Sequence, residues 1–220
     1  MIKLPRKVKR VYASPLRDEQ ARATRTAIID AAGALFADQG YAGVSVDAIA
    51  KAAGVGRATV FTSVGGKPEL LKCAYRAAFA RAAGGGEGIA LVDRPRAAEI
   101  HAQRTARAYL ASYTALARDI CIHLSRINEA VREAAGSDAE VRELFDASYA
   151  ERRRGGDRIV AEVRKRAPLR KGLEPHAAAD IVWVLNDPSV FFLLVHRRGW
   201  TAERYEAWLV RALESELLGA

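Results

Sequence analysis

At 220 residues, 50% of them hydrophobic, the chain is long enough to bury one large core or two small ones. Its formal charge of +9 is uneven: residues 1–82 hold 14 Lys/Arg against 6 Asp/Glu, so the basic excess belongs to the N-terminal third and points to a phosphate-bearing partner at that end. Two cysteines, Cys73 and Cys121, argue against a disulfide framework, and no apolar run reaches bilayer length, because Ile181 to Leu185 is interrupted by Asn186, Asp187 and Pro188.

In chain order, Lys3, Arg6, Lys7, Lys9, Arg10 and Arg17 meet no acid, which predicts a flexible basic arm over 1–18. Such an arm either follows a minor groove or adds only nonspecific affinity. No apolar stretch follows these charges as a secretory signal requires, so the expectation is a soluble, cytoplasmic protein. From 19 to 39 the pattern is one amphipathic helix, with Ile28, Ala32, Leu35 and Phe36 on one face and Arg25, Asp30 and Asp38 on another; Gly40 ends it. Ser45 then caps a short helix with Val46, Ile49, Ala50 and Ala53 inward, and Gly54 turns the chain sharply. Val55 and Val60 supply the inner face of a third helix running to about Val64. This order is that of a helix-turn-helix. Gly65 and Gly66 break it, and Lys67, Pro68 and Glu69 open the next helix, placing Lys67 beside free backbone amides suited to a phosphate.

After Arg81 a glycine-rich bridge leads to helices predicted at 95–116, 118–135, 138–166, 175–197 and 201–218. The bridge has no preceding strand and no following Lys-Ser/Thr, so it is no phosphate loop. Ser137 with Glu140 reads as a capping box, Thr201 as a cap, and Asp187-Pro188 as a kink within the fourth of these helices. The four histidines are scattered outside any nucleophile or zinc motif; Cys121 and His123, two apart on a helix, diverge too far to chelate together. The reading is therefore of no enzyme, no metal and no cofactor.

The segment FADQGYAGVSVDAIAKAAGVGRATVF followed by GGKPELL resembles the DNA-binding domain of the TetR family of transcriptional regulators, over roughly residues 20–80. The ending from Trp200 to Leu209 resembles the last helix of one TetR subgroup more loosely. The resemblance implies an all-α protein: a basic arm at 1–18, a three-helix helix-turn-helix domain at 19–66, a connecting helix at 67–83, and a helical effector-binding and dimerisation bundle at 84–220. It implies duplex DNA with a palindromic operator as partner, contacted by Ser45, Gly56, Arg57, Ala58, Thr59, Phe61, Thr62, Ser63 and Lys67. Here the chain departs from the family pattern, with Phe61 for a tyrosine, Ser63 for a tyrosine or histidine and Val64 for a phenylalanine. It further implies a homodimer paired through the last two helices, which are apolar nearly all round.

Tyr109 and Tyr113 lie four apart on one helix, as do Phe145 and Tyr149 on another; these pairs either line a cavity or pack in the core. With Trp183 they are the candidate walls of a site for a small-molecule effector, and His123, Arg126 and Asn186 are the polar groups available to orient it if they point inward. Two functions follow. The first is a repressor released from its operator by a ligand; the alternative is a DNA-binding regulator without a sensor, whose bundle only dimerises or docks a protein and whose core is filled.

Overall fold

A computed structural model describes residues 15–82, 84 and 95–219. The predicted basic arm before Pro15, and most of the glycine-rich bridge, lie outside the described residues. The rest is helical throughout: α1 (Pro15–Gln39), α2 (Val46–Ala52), α3 (Arg57–Ser63), α4 (Lys67–Ala82), α5 (Pro95–His101), α6 (Ala106–Ala134), α7 (Ala139–Arg164), α8 (Pro175–Leu185), α9 (Pro188–Phe191), a π-helical turn at Phe192–Arg197, and α10 (Ala202–Leu218).

Local chemistry explains most boundaries. The Ser45 hydroxyl accepts from the Ala48 amide at 3.1 Å and starts α2. Gly54 takes φ +68°, a left-handed conformation that costs glycine little and turns the chain into α3. Thr201 caps α10 by accepting from the Arg204 amide. Asp187 caps α9 and Pro188 opens it, so the predicted 175–197 helix is split; α8 and the segment after it meet at 41°. No single helix among the described residues is long and apolar enough to cross a membrane.

Two boundaries differ from the pattern reading. The predicted break at residue 117 does not exist: α6 runs unbroken for 29 residues, because nothing near Ala117 caps or breaks a helix. The break falls instead before Ala106, where Thr105 accepts from the Ala108 amide at 3.2 Å. At α7 the cap is Asp138, whose carboxylate accepts from the Glu140 and Val141 amides; Ser137, assigned that role by the capping-box pattern, donates to the Ala134 carbonyl. An ionised carboxylate is the better acceptor at a helix start, where the dipole favours negative charge.

The length of α6 joins two cores. One gathers Ile28, Phe36, Ile49, Val60, Leu70 and Leu71 of α1–α4 around Leu124, Ile127 and Val131 of the second half of α6. The other packs Leu110, Leu116 and Ala117 of its first half against Val160 and Val163 of α7, Val182 of α8, Phe191, and Tyr205, Leu209 and Leu213 of α10. α7 and α8 approach closely at Gly156, where a Cβ would stand 2.7 Å from the Ala179 carbonyl oxygen.

The far end of the bundle is tied by Glu162. Lys165 and Arg166 pair with its carboxylate, aided by His101, and hold its pKa at about 2 against an ordinary 4.5. Arg166 also donates to the carbonyls of His101 and Gln103, fastening α7 to α5. A carboxylate whose folded pKa is depressed contributes stability above its unfolded pKa, lost as pH falls toward the folded value. Glu162→Gln is expected to lower stability near neutrality by about 1 kcal/mol, solvent screening of the exposed Lys165 included. In urea melts between pH 7 and 2, the gap to the parent should close below about pH 4.5; a constant gap would contradict this.

Candidate nucleic-acid interface and effector cavity

The second and third helices lock through Ile49, Ala50 and the fully buried Val60, with Val64 half-buried against the same core. This leaves one face of α3 outward: Arg57, Ala58, Phe61 and Thr62 are exposed, as are Gly56 at its N-cap and Ser45 at the start of α2. Thr59 and Ser63 of α3, and Lys67 at the start of α4, are half-buried. The predicted residues are therefore all at least partly accessible. The Thr62 hydroxyl donates back to the Ala58 carbonyl at 3.0 Å, leaving its methyl free to project. Arg57 lies over the Phe61 ring and pairs with Asp47, both side chains being more than half exposed. Arg25 donates to the Ser63 carbonyl and thereby covers the end of α3 from α1. Neither Asp47 nor Arg25 was singled out by the motif, because each acts across the turn on a residue distant in sequence.

Behind this face, the turn between α1 and α2 is held by the bundle. Gly40 at φ +72° exposes the next two amides, and the Glu133 carboxylate of α6 accepts from both, Tyr41 and Ala42, at 3.3 Å each. The Tyr41 hydroxyl donates to Asp138 at 3.1 Å, its ring stacks on Phe36, and the Lys67 ammonium lies 4.3 Å above that ring. Burial and the Asp138 charge push the Tyr41 pKa up to about 12, so it remains a donor. Lys72 of α4 adds an ion pair to Glu140 of α7.

Within the bundle is a cavity of about 500 Å3. α4 contributes Tyr75 and Phe79, α6 the face carrying Tyr113, Leu116, Ala117, Ile120, Cys121 and Leu124, α7 several residues between Ser148 and Ile159, and α8 Val182 and Trp183, with Asn186 and Pro188 beyond. Of the predicted effector contacts, Tyr113, Trp183 and Asn186 line it, and Asn186 donates to the Tyr113 hydroxyl. Tyr149 and Phe145 stack on each other outside the wall, and Tyr149 meets the edge of Trp183. Tyr109 is buried elsewhere, beneath Arg166 and beside His101.

His123 and Arg126 do not point inward but are exposed: Cys121, Leu124, Ser125 and Asn128 take the inner positions of α6, and 3.6-residue periodicity turns 123 and 126 to solvent. Arg152, missed by the sequence reading, is a charged group that the wall does hold. It pairs with Asp187 at 2.7 Å and donates to the Trp183 carbonyl at 2.9 Å. Its signal was hidden in the run Arg152-Arg153-Arg154, which reads as a solvated face. Cys121 also lines the cavity, its thiol pushed up to about 12 by burial and so inert as a nucleophile.

Residues 28–73 match the profile of the family described as bacterial regulatory proteins, tetR family. No curated protein sequence matches. Solved structures share the fold over most of the chain. The fatty acid degradation regulator FadR from Bacillus halodurans is similar at 17% identity and TM-score 0.67, covering 86% of this chain and 94% of that one. FadR from Bacillus subtilis, solved with stearoyl-CoA, is similar at 20% identity and TM-score 0.63, covering 89% and 98%. The ketosteroid regulator KstR2 of Mycobacterium tuberculosis is similar at 14% identity and TM-score 0.61, covering 88% and 94%.

Proposed function

With its place among TetR-family transcriptional regulators as the premise, we propose that the chain is a cytoplasmic, dimeric repressor, not an enzyme, released from a palindromic operator by a small molecule in the bundle cavity. The observation that carries this is the shared wall: Tyr75 and Phe79 belong to α4, the helix that leads out of the helix-turn-helix. An occupant pressing on α4 bears on the element packed against α1, and so favours a spacing of the two recognition helices different from that in the empty protein. The complex of Bacillus subtilis FadR with stearoyl-CoA supports a small-molecule role for such a bundle. The sensorless alternative expects a filled core, and the cavity counts against it.

On DNA, Arg57 reads a guanine edge or grips a phosphate, Thr59 and Thr62 meet base edges or thymine methyls, and Ser45, Ser63 and Lys67 take backbone phosphates, with Gly56, Ala58 and Phe61 setting the fit. Selection from a pool of random duplexes at near-physiological salt tests this reading: an enriched palindrome is expected, and the absence of any enriched motif would overturn it. The Asp47 partner of Arg57 is exposed, so the pair is weak and easily surrendered to a phosphate. Asp47→Asn is expected to tighten binding to a random duplex about threefold and to steepen its salt dependence by up to one counterion, as read by fluorescence anisotropy at several salt concentrations.

A further inference from the structure

We propose that the cavity takes an uncharged, mostly hydrocarbon molecule carrying a hydroxyl at one end. This deepens the effector reading above and rests on it for its regulatory meaning. Most of the wall is apolar: Leu116, Ala117, Ile120, Leu124, Ile159 and Val182 offer no hydrogen bonds from their side chains. A volume of about 500 Å3 suits a small ligand buried on most sides.

Charge deep in the wall is available only as an ion pair. Arg152 is consumed by Asp187 and by the Trp183 carbonyl, and lies over the Tyr149 ring. Glu151 and Arg158, with Arg154, are all more than half exposed, so their charges face solvent at the rim. A carboxylate at the inner end of the cavity must take Arg152 from Asp187 or be buried without a counter-ion, and stripping Asp187 leaves that carboxylate stranded in turn. A quaternary ammonium finds aromatic faces but no free carboxylate.

Two neutral polar groups of the wall are in the opposite condition. The Trp183 indole nitrogen and the Asn186 side-chain oxygen are both buried and both lack a partner. The first can only donate and the second only accept. Tyr113, which accepts from the Asn186 amide, still has its own proton to give, and burial raises its pKa so that the proton stays. All three residues line the cavity: Trp183 and Asn186 at the end of α8, and Tyr113 of α6 joined to Asn186 by its hydrogen bond. An alcohol matches them, because one oxygen both donates to the amide oxygen and accepts from the indole or the phenol. An ion matches neither the apolar surface nor this pair of orphans.

The test uses the full chain and three probes with the same tail: 1-decanol, decanoate and decyltrimethylammonium, titrated by calorimetry below their aggregation limits. Decanol is expected to bind one per chain, at least tenfold more tightly than either ion. Trp183→Phe and Asn186→Leu, each checked for folding by circular dichroism, should weaken decanol about fivefold and leave decanoate unchanged. Equal or tighter binding of either ion, no saturable decanol binding, or indifference of decanol to both substitutions would overturn the proposal. Decanol that binds as expected without altering affinity for a selected operator would leave the ligand class standing and overturn the effector reading instead.

Discussion

Val184→Arg is expected to yield a folded monomer that binds a palindromic operator at least a hundredfold more weakly than the parent. α8 already buries Ala178, Ala179 and Val182, and α10 buries Tyr205, Leu209, Leu213 and Leu217, so the inner faces of both helices are satisfied within one chain. Val184 nonetheless stands 54% exposed. With Ile181 and Leu185 it lines an open groove of about 390 Å3 edged by Asp180 and Glu216. Apolar side chains in excess of one inner face are what a second copy of the same two helices would cover, as the proposed homodimer requires. In a two-fold pair each residue meets its symmetry partner or a near neighbour, so one substitution places two guanidiniums in the interface. The monomer would keep its half-site contacts but lose the linked second half, whose contribution to avidity is about 10²–10⁴. Light scattering at micromolar concentration reads the assembly, and anisotropy on the operator reads the consequence. A dimeric V184R with unchanged operator affinity would show that α8 is not the interface.

Glu133→Ala is the second large effect. Its carboxylate reaches from the bundle into the turn ahead of α2 and accepts from two consecutive amides made available by the left-handed Gly40. Removing it leaves those amides to solvent and keeps Tyr41–Asp138 as the neighbouring tie to the start of α7. Because α2 and α3 follow this turn directly, a looser turn widens the range of orientations the recognition helix samples. The expected result is exchange of the Tyr41 and Ala42 amide protons at least tenfold faster, with operator affinity reduced about tenfold. Gly40→Ala should act in the same direction, since its Cβ would stand 2.8 Å from the Glu133 oxygen at a φ that L-residues rarely adopt. Unaltered amide exchange in E133A would show that the turn stands without the bundle.

The helix-turn-helix was legible because its determinants are neighbours. Ser45 caps, Gly54 turns, and Ile49 and Ala50 before the turn and Val60 after it fill the inner faces of two helices within one short segment. The same locality exposed the Pro188 break and the Thr201 cap. Asp138 against Ser137 shows where such reading slips, since two adjacent capping residues differ only in which carboxylate or hydroxyl reaches the amides.

The cavity was only partly legible. Aromatic spacing marked Tyr113, but the inward direction of Arg152 and the outward direction of His123 and Arg126 depend on how α6 and α7 are rotated against α4 and α8. A charged residue in a run of arginines carries no sign of a partner 35 residues away, such as Asp187.

Sequence alone thus determined the all-α class, the helix-turn-helix and the basic bias of its end, because caps, glycine turns, apolar periodicity and charge act through the nearest few residues. Only the tertiary structure decided that α6 is one helix shared by both cores, that Glu133 holds the turn before α2, and that α4 walls the cavity. Those are contacts between residues tens of positions apart, set by which faces find each other when the helices pack, and no local pattern records them.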